Sequence, residues 1–125
     1  MVAVPSDPVI VRVPRGERCP DGCTGVHSYT SDGIRWCWQG ADAAREAIDV
    51  ELPTAPPPAA VAARYEGDED FWLAWTRLEV VAKLTDTPML TLVARGDLGR
   101  PAPSDIAVEH LFLDGAVVAL GRRTT

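Results

Sequence analysis

The segment Phe71-Trp-Leu-Ala-Trp-Thr-Arg-Leu-Glu-Val-Val-Ala-Lys83 carries the clearest helical pattern in this chain, with apolar residues at i, i+4, i+7 and i+11. The pattern predicts a helix that runs to about Leu84, with Asp68 as its N-cap. Upstream, Glu46-Ala-Ile-Asp-Val-Glu-Leu52 alternates between apolar and charged residues. This alternation has the period of a β-strand.

Around these two segments the sequence predicts further strands and one short helix. Strands are expected at residues 9–13, 26–30, 34–39, 89–95, 106–113 and 116–120, and a short helix at 59–65. Residues 96–104 are expected to form a loop and 122–125 to fray. Strands, then two helices, then strands indicate an α+β domain, an antiparallel sheet packed by two helices. Residues 1–125 are taken as one domain, with an N-terminal strand and turn within residues 1–25.

Composition excludes several classes of protein. The chain has 125 residues, of which 46% are hydrophobic and 24% charged, as in an ordinary globular domain. No apolar run approaches the ~20 residues of a membrane helix, and no basic start precedes an apolar run, so a cytoplasmic protein is expected. The net charge of -6 argues against nonspecific nucleic-acid binding, which depends on many cations.

Three carboxylates and one lysine form the candidate site. Asp49 and Glu51 lie two residues apart on the predicted strand, so both side chains leave the same face. Glu79 and Lys83 lie four residues apart on the predicted helix. If strand and helix pack together, the carboxylates form an oxygen-rich site for Mg²⁺, and the lysine can meet substrate phosphates.

A plainer interpretation of the same four residues stays open. Asp49 and Glu51 could form the solvated face of an edge strand, and Glu79 with Lys83 an ordinary helical ion pair. Lys83 is nevertheless the only lysine in the chain, and the other lysine-or-arginine positions are all arginines. A compact cation that can also donate a proton is useful beside a phosphate.

The order of these segments resembles the 4′-phosphopantetheinyl transferase superfamily. Residues 46–52 resemble its Gly-Ile-Asp-Ile-Glu strand, and Arg64-Tyr65 the Arg-Phe that closes its next helix. Residues 71–83 resemble its signature Phe-x-x-x-Trp-[Ser/Thr]-x-Lys-Glu-[Ala/Ser]-x-x-Lys. Residues 26–31 resemble the Asn-x-Ser-His-Ser segment that helps to hold coenzyme A. The resemblance covers residues 26–120.

The resemblance implies a Mg²⁺-dependent transfer of the phosphopantetheine arm of coenzyme A to a serine of an acyl or peptidyl carrier protein. Asp49, Glu51 and Glu79 would hold Mg²⁺, and Glu79 would help to deprotonate the carrier serine. Lys83 would neutralise the leaving phosphate. His27 and Ser31, together with Lys83, would bind coenzyme A.

The same resemblance leaves a second function open. Leu78 replaces the first lysine of the signature, which normally faces coenzyme A phosphates. The chain could therefore be an inactive relative that acts as a binding or assembly partner in a biosynthetic complex. Larger members of the family contain two similar halves, and short members form sites between subunits. A homo-oligomer, or pairing with a separate second half, is expected.

The cysteines offer a third possibility. Cys19-x-x-x-Cys23, His27 and Cys37 could bind zinc, although the spacing is not a standard motif and small buried thiols are the plainer interpretation. Without a secretory signal, reduced thiols are expected. His110 alternates with apolar residues and is expected to be a packed core histidine.

Overall fold

The structure, a computed structural model, describes residues 7–125. Residues 1–6, the start of the predicted N-terminal strand and turn, lie outside the described residues. The described chain forms six strands and three helices, in the order β1 (Ile10–Val13), β2 (Cys23–Tyr29), β3 (Arg35–Gln39), β4 (Glu46–Glu51), α1 (Ala59–Ala62), α2 (Phe71–Thr85), α3 (Met89–Ala94), β5 (Ile106–Leu113) and β6 (Ala116–Arg123). The predicted α+β class is confirmed.

The strands form two antiparallel three-stranded sheets rather than the single sheet that the sequence predicts. The strand order is β1-β3-β2 in the first sheet and β4-β6-β5 in the second. At the junction, the Val50 N–H donates to the Ser28 hydroxyl at 3.2 Å. This contact joins the two sheets through a side chain, and no backbone pairing between β2 and β4 occurs among the described residues.

Apolar side chains fill two regions of the core. The first lies where the two sheets pack together, and includes Trp36, Trp38, Ile48, Val50 and Val118. The second lies between the helices and the second sheet, where Leu78, Val81 and Ala82 of α2 meet Leu92 and Ile106. Strand β4 contributes to both regions, because Ile48 and Val50 face the first while Ala47 packs with Val80 of α2.

The strand predicted at residues 89–95 is wrong. Met89–Ala94 forms helix α3, in which Leu92 is buried, Met89 and Val93 are half-buried and Leu90 is exposed. This i, i+3, i+4 burial is helical, whereas the apolar run itself fits either a strand or a helix. Packing of Leu92 against α2 decides the conformation.

Three predicted boundaries also change. Helix α2 has its N-cap at Asp70, whose carboxylate accepts the Trp72 N–H at 2.9 Å, and not at Asp68. Helix α1 ends at Ala62, earlier than the predicted residue 65. The expected fraying of residues 122–125 is wrong for Arg122 and Arg123, which continue β6 and pair with Glu46 and Ile106.

No helix within residues 7–125 has the length and apolar character required to cross a membrane.

Candidate functional site

Asp49 lies in the middle of β4 and is buried, with 5% of its surface exposed. Its face of the strand also carries Ala47, which contacts α2, so the carboxylate lies beneath the helix. Its Oδ1 atom accepts a hydrogen bond from the Ser28 hydroxyl at 3.3 Å. Its Oδ2 atom is buried without a hydrogen-bond partner among residues 7–125. The plainer interpretation, in which Asp49 is solvated, is therefore wrong.

Lys83 approaches Asp49 from the last turn of α2. Its ammonium Nζ donates to the Ile48 carbonyl at 2.6 Å and lies 3.7 Å from Asp49 Oδ1. The lysine side chain is 38% exposed, so its cation meets both the carboxylate and solvent. The predicted contact between this strand and this helix therefore forms, and it brings the lysine to the acidic strand.

Glu51 and Glu79 complete the acidic group from the same strand and helix. Burial and the neighbouring Glu79 raise the pKa of Glu51, which a hydrogen bond from the Trp75 side chain and the charge of Lys83 partly offset. Burial also raises the pKa of Glu79, against the attraction of Lys83. The three carboxylates thus lie within electrostatic reach of one another and of a single cation.

The same environment acts most strongly on Asp49. Burial raises the pKa of its carboxyl to about 8, with the charges of Glu79 and Glu51 adding to the shift. Lys83 and the Ser28 hydroxyl oppose it without cancelling it. Because one oxygen of this buried carboxyl has no hydrogen-bond partner, a further cation is needed to stabilise its charged form.

The fit of this acidic group to Mg²⁺ rests on its donor set. Mg²⁺ prefers oxygen ligands and usually keeps several waters, so one or two direct carboxylates are enough. The buried Oδ2 atom of Asp49 supplies such a ligand. The oxygens of Asp49, Glu51 and Glu79 do not, however, all lie within 4.8 Å of one another in the described part of the chain. The three carboxylates therefore do not form a preassembled site, and one or two of them at most would bind a single ion directly.

His27 and Ser31, the two residues predicted to bind coenzyme A together with Lys83, lie in different surroundings. His27 and Lys83 line a cavity of about 210 Å³ beside Ile48 and Leu84. Burial, Arg35 and Lys83 lower the pKa of His27. Ser31 is exposed in the turn between β2 and β3 and is not part of the lining of this cavity. Ser28, on the strand itself, is the serine that reaches the acidic group.

Leu78, at the position of the signature lysine, is a core residue with 5% of its surface exposed. It borders a second cavity, of about 220 Å³, together with Arg77, Arg95 and Arg100. Arg77 is engaged with the Glu69 carboxylate, and Arg95 with Asp97 at 3.4 Å. The cations nearest to Leu78 therefore already have acidic partners.

Sequence patterns missed three contributions to the acidic group: the Ser28 hydroxyl, the Ile48 carbonyl and the Trp75 side chain. Each acts across elements distant in sequence, as in the contact from Ser28 to Asp49. Ser28 lies within residues 26–31, the segment that resembles the coenzyme A motif, but nothing in the sequence indicated its contact with Asp49.

The cysteines and His110 follow the sequence expectations in part. Cys19, Cys23 and Cys37 are free thiols that lie together, but His27 does not belong to their group among the described residues. His110 is half-buried, and its Nε2 atom lies 3.0 Å from the Thr76 hydroxyl of α2. It is therefore a packed histidine, as predicted.

No family model, curated protein or solved structure matches this chain. The function of the acidic group is accordingly a matter for proposal.

Proposed function

We propose that the protein transfers the 4′-phosphopantetheine arm of coenzyme A to a serine of an acyl or peptidyl carrier protein. One observation carries the proposal: the buried Asp49 carboxylate has Lys83 at 3.7 Å and an unpartnered second oxygen within residues 7–125. Glu51 and Glu79 add charge to the same group. Residues 46–51 and 71–83, which carry the family resemblance, are the segments that supply these side chains.

The acidic residues would bind the cation that a pyrophosphate substrate requires. Asp49, Glu51 and Glu79 would hold Mg²⁺ through one or two direct oxygens and intervening waters. Bound magnesium neutralises the charge on phosphate oxygens, and phosphoryl transfer depends chiefly on such positioning and charge stabilisation. The single unpartnered oxygen of Asp49 is the primary ligand in this arrangement.

Glu79 and Lys83 would handle the protons of the transfer. The serine oxygen forms a bond to the phosphorus attached to the pantetheine arm, and the bond from that phosphorus to the 3′,5′-ADP portion breaks. Glu79 accepts the serine proton, a role that suits a carboxyl whose pKa is raised by burial. Lys83 faces solvent with part of its side chain and neutralises the phosphate that leaves.

The cavity beside Lys83 is the proposed position of coenzyme A phosphates. His27 borders it, and Lys83 supplies its cation. Ser31, from the turn at the end of β2, would contact a more distant part of the same ligand. Because the cavity holds only about 210 Å³, most of the coenzyme would extend beyond it. A second subunit or a separate half of the enzyme would cover the remainder.

Calorimetric titration of coenzyme A, with and without Mg²⁺, tests this proposal. We expect binding that requires Mg²⁺ and is lost in Glu79→Gln but kept in Glu109→Gln, which changes an exposed carboxylate of β5. The transfer itself would appear as a mass increase of a carrier protein by one phosphopantetheine group. A folded wild-type protein that binds no coenzyme A at any Mg²⁺ concentration would refute the proposal.

Burial of Leu78 favours a second candidate function. The apolar Leu78 occupies the position of the signature lysine, and the nearby Arg77 and Arg95 already pair with acidic residues. The cation that would contact a coenzyme A phosphate at this position is therefore missing. In this case the protein is an inactive relative that acts as a binding or assembly partner in a biosynthetic complex. Pull-down of a carrier or enzyme partner, without metal-dependent coenzyme A binding, would support this function over catalysis.

A further inference from the structure

Three thiols from separate segments meet on the first sheet. The Cys37 sulfur lies 3.4 Å from that of Cys19 and 3.2 Å from that of Cys23. Cys37 is fully buried in the centre of β3, while Cys23 begins β2 and Cys19 lies in the connecting segment 14–22. They are all the cysteines of the chain. Within residues 7–125 they form the one group of three metal-ligating side chains whose ligand atoms all lie within 4.8 Å.

The thiols occupy the face of the sheet that points away from the acidic group. Trp36 and Trp38, the neighbours of Cys37 on β3, both belong to the core between the sheets. Side chains alternate along a strand, so Cys37 faces the opposite side. Segment 14–22 passes over this side, since Arg35 of β3 donates to the Glu17 carbonyl at 2.8 Å. The cluster is therefore separate from the acidic group, whereas His27, the cross-strand partner of Cys37, lies on the same face as the thiols.

The spacing of the sulfurs is close to that of a tetrahedral metal site. With Zn–S bonds of about 2.3 Å, two thiolates on one Zn²⁺ lie about 3.8 Å apart. The two observed distances are 3.4 and 3.2 Å, so a shift of a few tenths of an ångström would admit the ion. Cys19 and Cys23 are half-buried, which leaves a path for metal entry.

The surroundings of the cluster supply a donor and a cation to its sulfurs. The backbone of Gly25, which has a φ of +94° in the irregular part of β2, hydrogen-bonds Cys23. The charge of Arg35 also acts on Cys23. Donors to ligand sulfurs and a nearby cation are typical supports of a thiolate metal centre. Arg35 would also balance the single negative charge of Zn²⁺ with three thiolates.

A disulfide explains the cluster less well. Any one disulfide joins two sulfurs and leaves the third thiol, while Cys37 is in contact with both of the others. A shared cation uses all three sulfurs at once.

We propose that Cys19, Cys23 and Cys37 bind one Zn²⁺ ion, with water as the fourth ligand, and that the ion fastens segment 14–22 to the first sheet. The three protons released by the thiols pass to solvent. This segment contains turns but no helix or strand, so few backbone contacts fix it otherwise. The site does not use the acidic group.

The test uses the full chain, reduced and freed of metal by a chelator, and titrates it with Co²⁺ and then Zn²⁺. We expect one equivalent of Co²⁺ to give the thiolate charge-transfer band and the visible bands of a tetrahedral centre, which Zn²⁺ then abolishes. Cys19→Ser should lower the Zn²⁺ affinity at least about tenfold. Asp21→Asn, an exposed change in the same turn, should leave it unchanged.

Cys19 is the preferred substitution because it lies in segment 14–22 rather than in a sheet strand, and circular dichroism checks that the variant folds. A folded, reduced wild-type protein without the thiolate–cobalt band would overturn the proposal. So would equal Zn²⁺ affinity in wild type and Cys19→Ser. Loss of two hydrogens by mass in air, with no metal uptake by the reduced protein, would assign the cluster to a disulfide instead.

Discussion

Asp49 is the residue at which stability and the proposed function conflict. Its carboxylate is buried, one oxygen has no partner within residues 7–125, and the lysine beside it is partly solvated. A buried carboxylate with incomplete hydrogen bonding reduces the free energy of unfolding. A site that binds a cation retains such a group because the cation restores the lost interactions.

Replacing Asp49 with Asn should therefore stabilise the protein in magnesium-free buffer, by about 1–2 kcal/mol. Lys83 loses its partner but can turn to water, so the loss of the ion pair costs little. Urea denaturation measures the change, and the same variant should lose Mg²⁺-dependent coenzyme A binding. Asp114→Asn, at an exposed turn, is the matched control and should change stability by less than about 0.5 kcal/mol. A less stable Asp49→Asn variant would contradict the expectation.

His110 should make the stability depend on pH. Burial and the nearby charge of Arg77 lower its pKa below the ordinary 6.5, although the Leu73 backbone and Glu69 oppose the shift. Below about pH 6.5 the unfolded chain then binds a proton that the folded chain refuses, so the contribution of His110 to the free energy of unfolding falls as the pH falls. Asp49, whose pKa burial raises to about 8, contributes in the opposite direction over the same range.

Urea denaturation at about pH 7.5 and about pH 5.5 checks this expectation. From the higher to the lower pH, the free energy of unfolding of His110→Gln, whose side chain can still hydrogen-bond Thr76, should rise relative to that of wild type. An equal change in wild type and variant would contradict the contribution assigned to His110.

At the scale of elements, helix α2 packs closely on strand β6 because Gly121 has no side chain. A Cβ atom at residue 121 would lie 1.9 Å from Val80 Cγ1 and 3.2 Å from Leu84 Cδ1. Val80 is fully buried and cannot move into open space. The absence of a side chain at residue 121 therefore allows this close approach of the helix to the sheet.

Gly121→Ala should therefore lower the free energy of unfolding by about 1–3 kcal/mol through overpacking. Thermal or urea unfolding measures the loss. Val80→Ala makes room for the new methyl group, so the double variant should be more stable than the sum of the two single changes predicts. Strict additivity would contradict the close contact.

The start of α2 provides a second test at this scale. Asp70→Ala should cost about 1 kcal/mol, because the Trp72 N–H loses its acceptor and the helix N-terminus loses a negative charge. Asp68→Ala, two residues earlier and exposed, is the control and should have a much smaller effect. If Asp68→Ala lowers the free energy of unfolding more than Asp70→Ala does, the N-cap of α2 is Asp68, as the sequence predicts, and the expectation is wrong.

For the whole molecule, the proposed transferase requires more surface than one chain provides. The cavity beside Lys83 is small, and the resemblance is to one half of a larger enzyme or to a subunit of an oligomer. Sedimentation should therefore show a species heavier than the 13.5 kDa chain, either alone or with a separate half. A monomer that binds coenzyme A fully on its own would contradict this expectation.

Sequence alone determined the α+β class, the strand that carries Asp49 and Glu51, and the helix that carries Glu79 and Lys83. Local periodicity is sufficient for these, because alternation and helical spacing both arise from backbone geometry. The run at residues 89–94 fits either period, and only burial of Leu92 against α2 decided that it is a helix.

Only the tertiary structure decided the contacts between distant segments. The Ser28 hydroxyl reaches Asp49 and joins the two sheets, and three cysteines from separate segments meet above β3. Sequence patterns indicate which side chains share a face of one helix or strand. They do not indicate which faces of different helices and strands pack together, because that depends on the close packing of all core side chains at once.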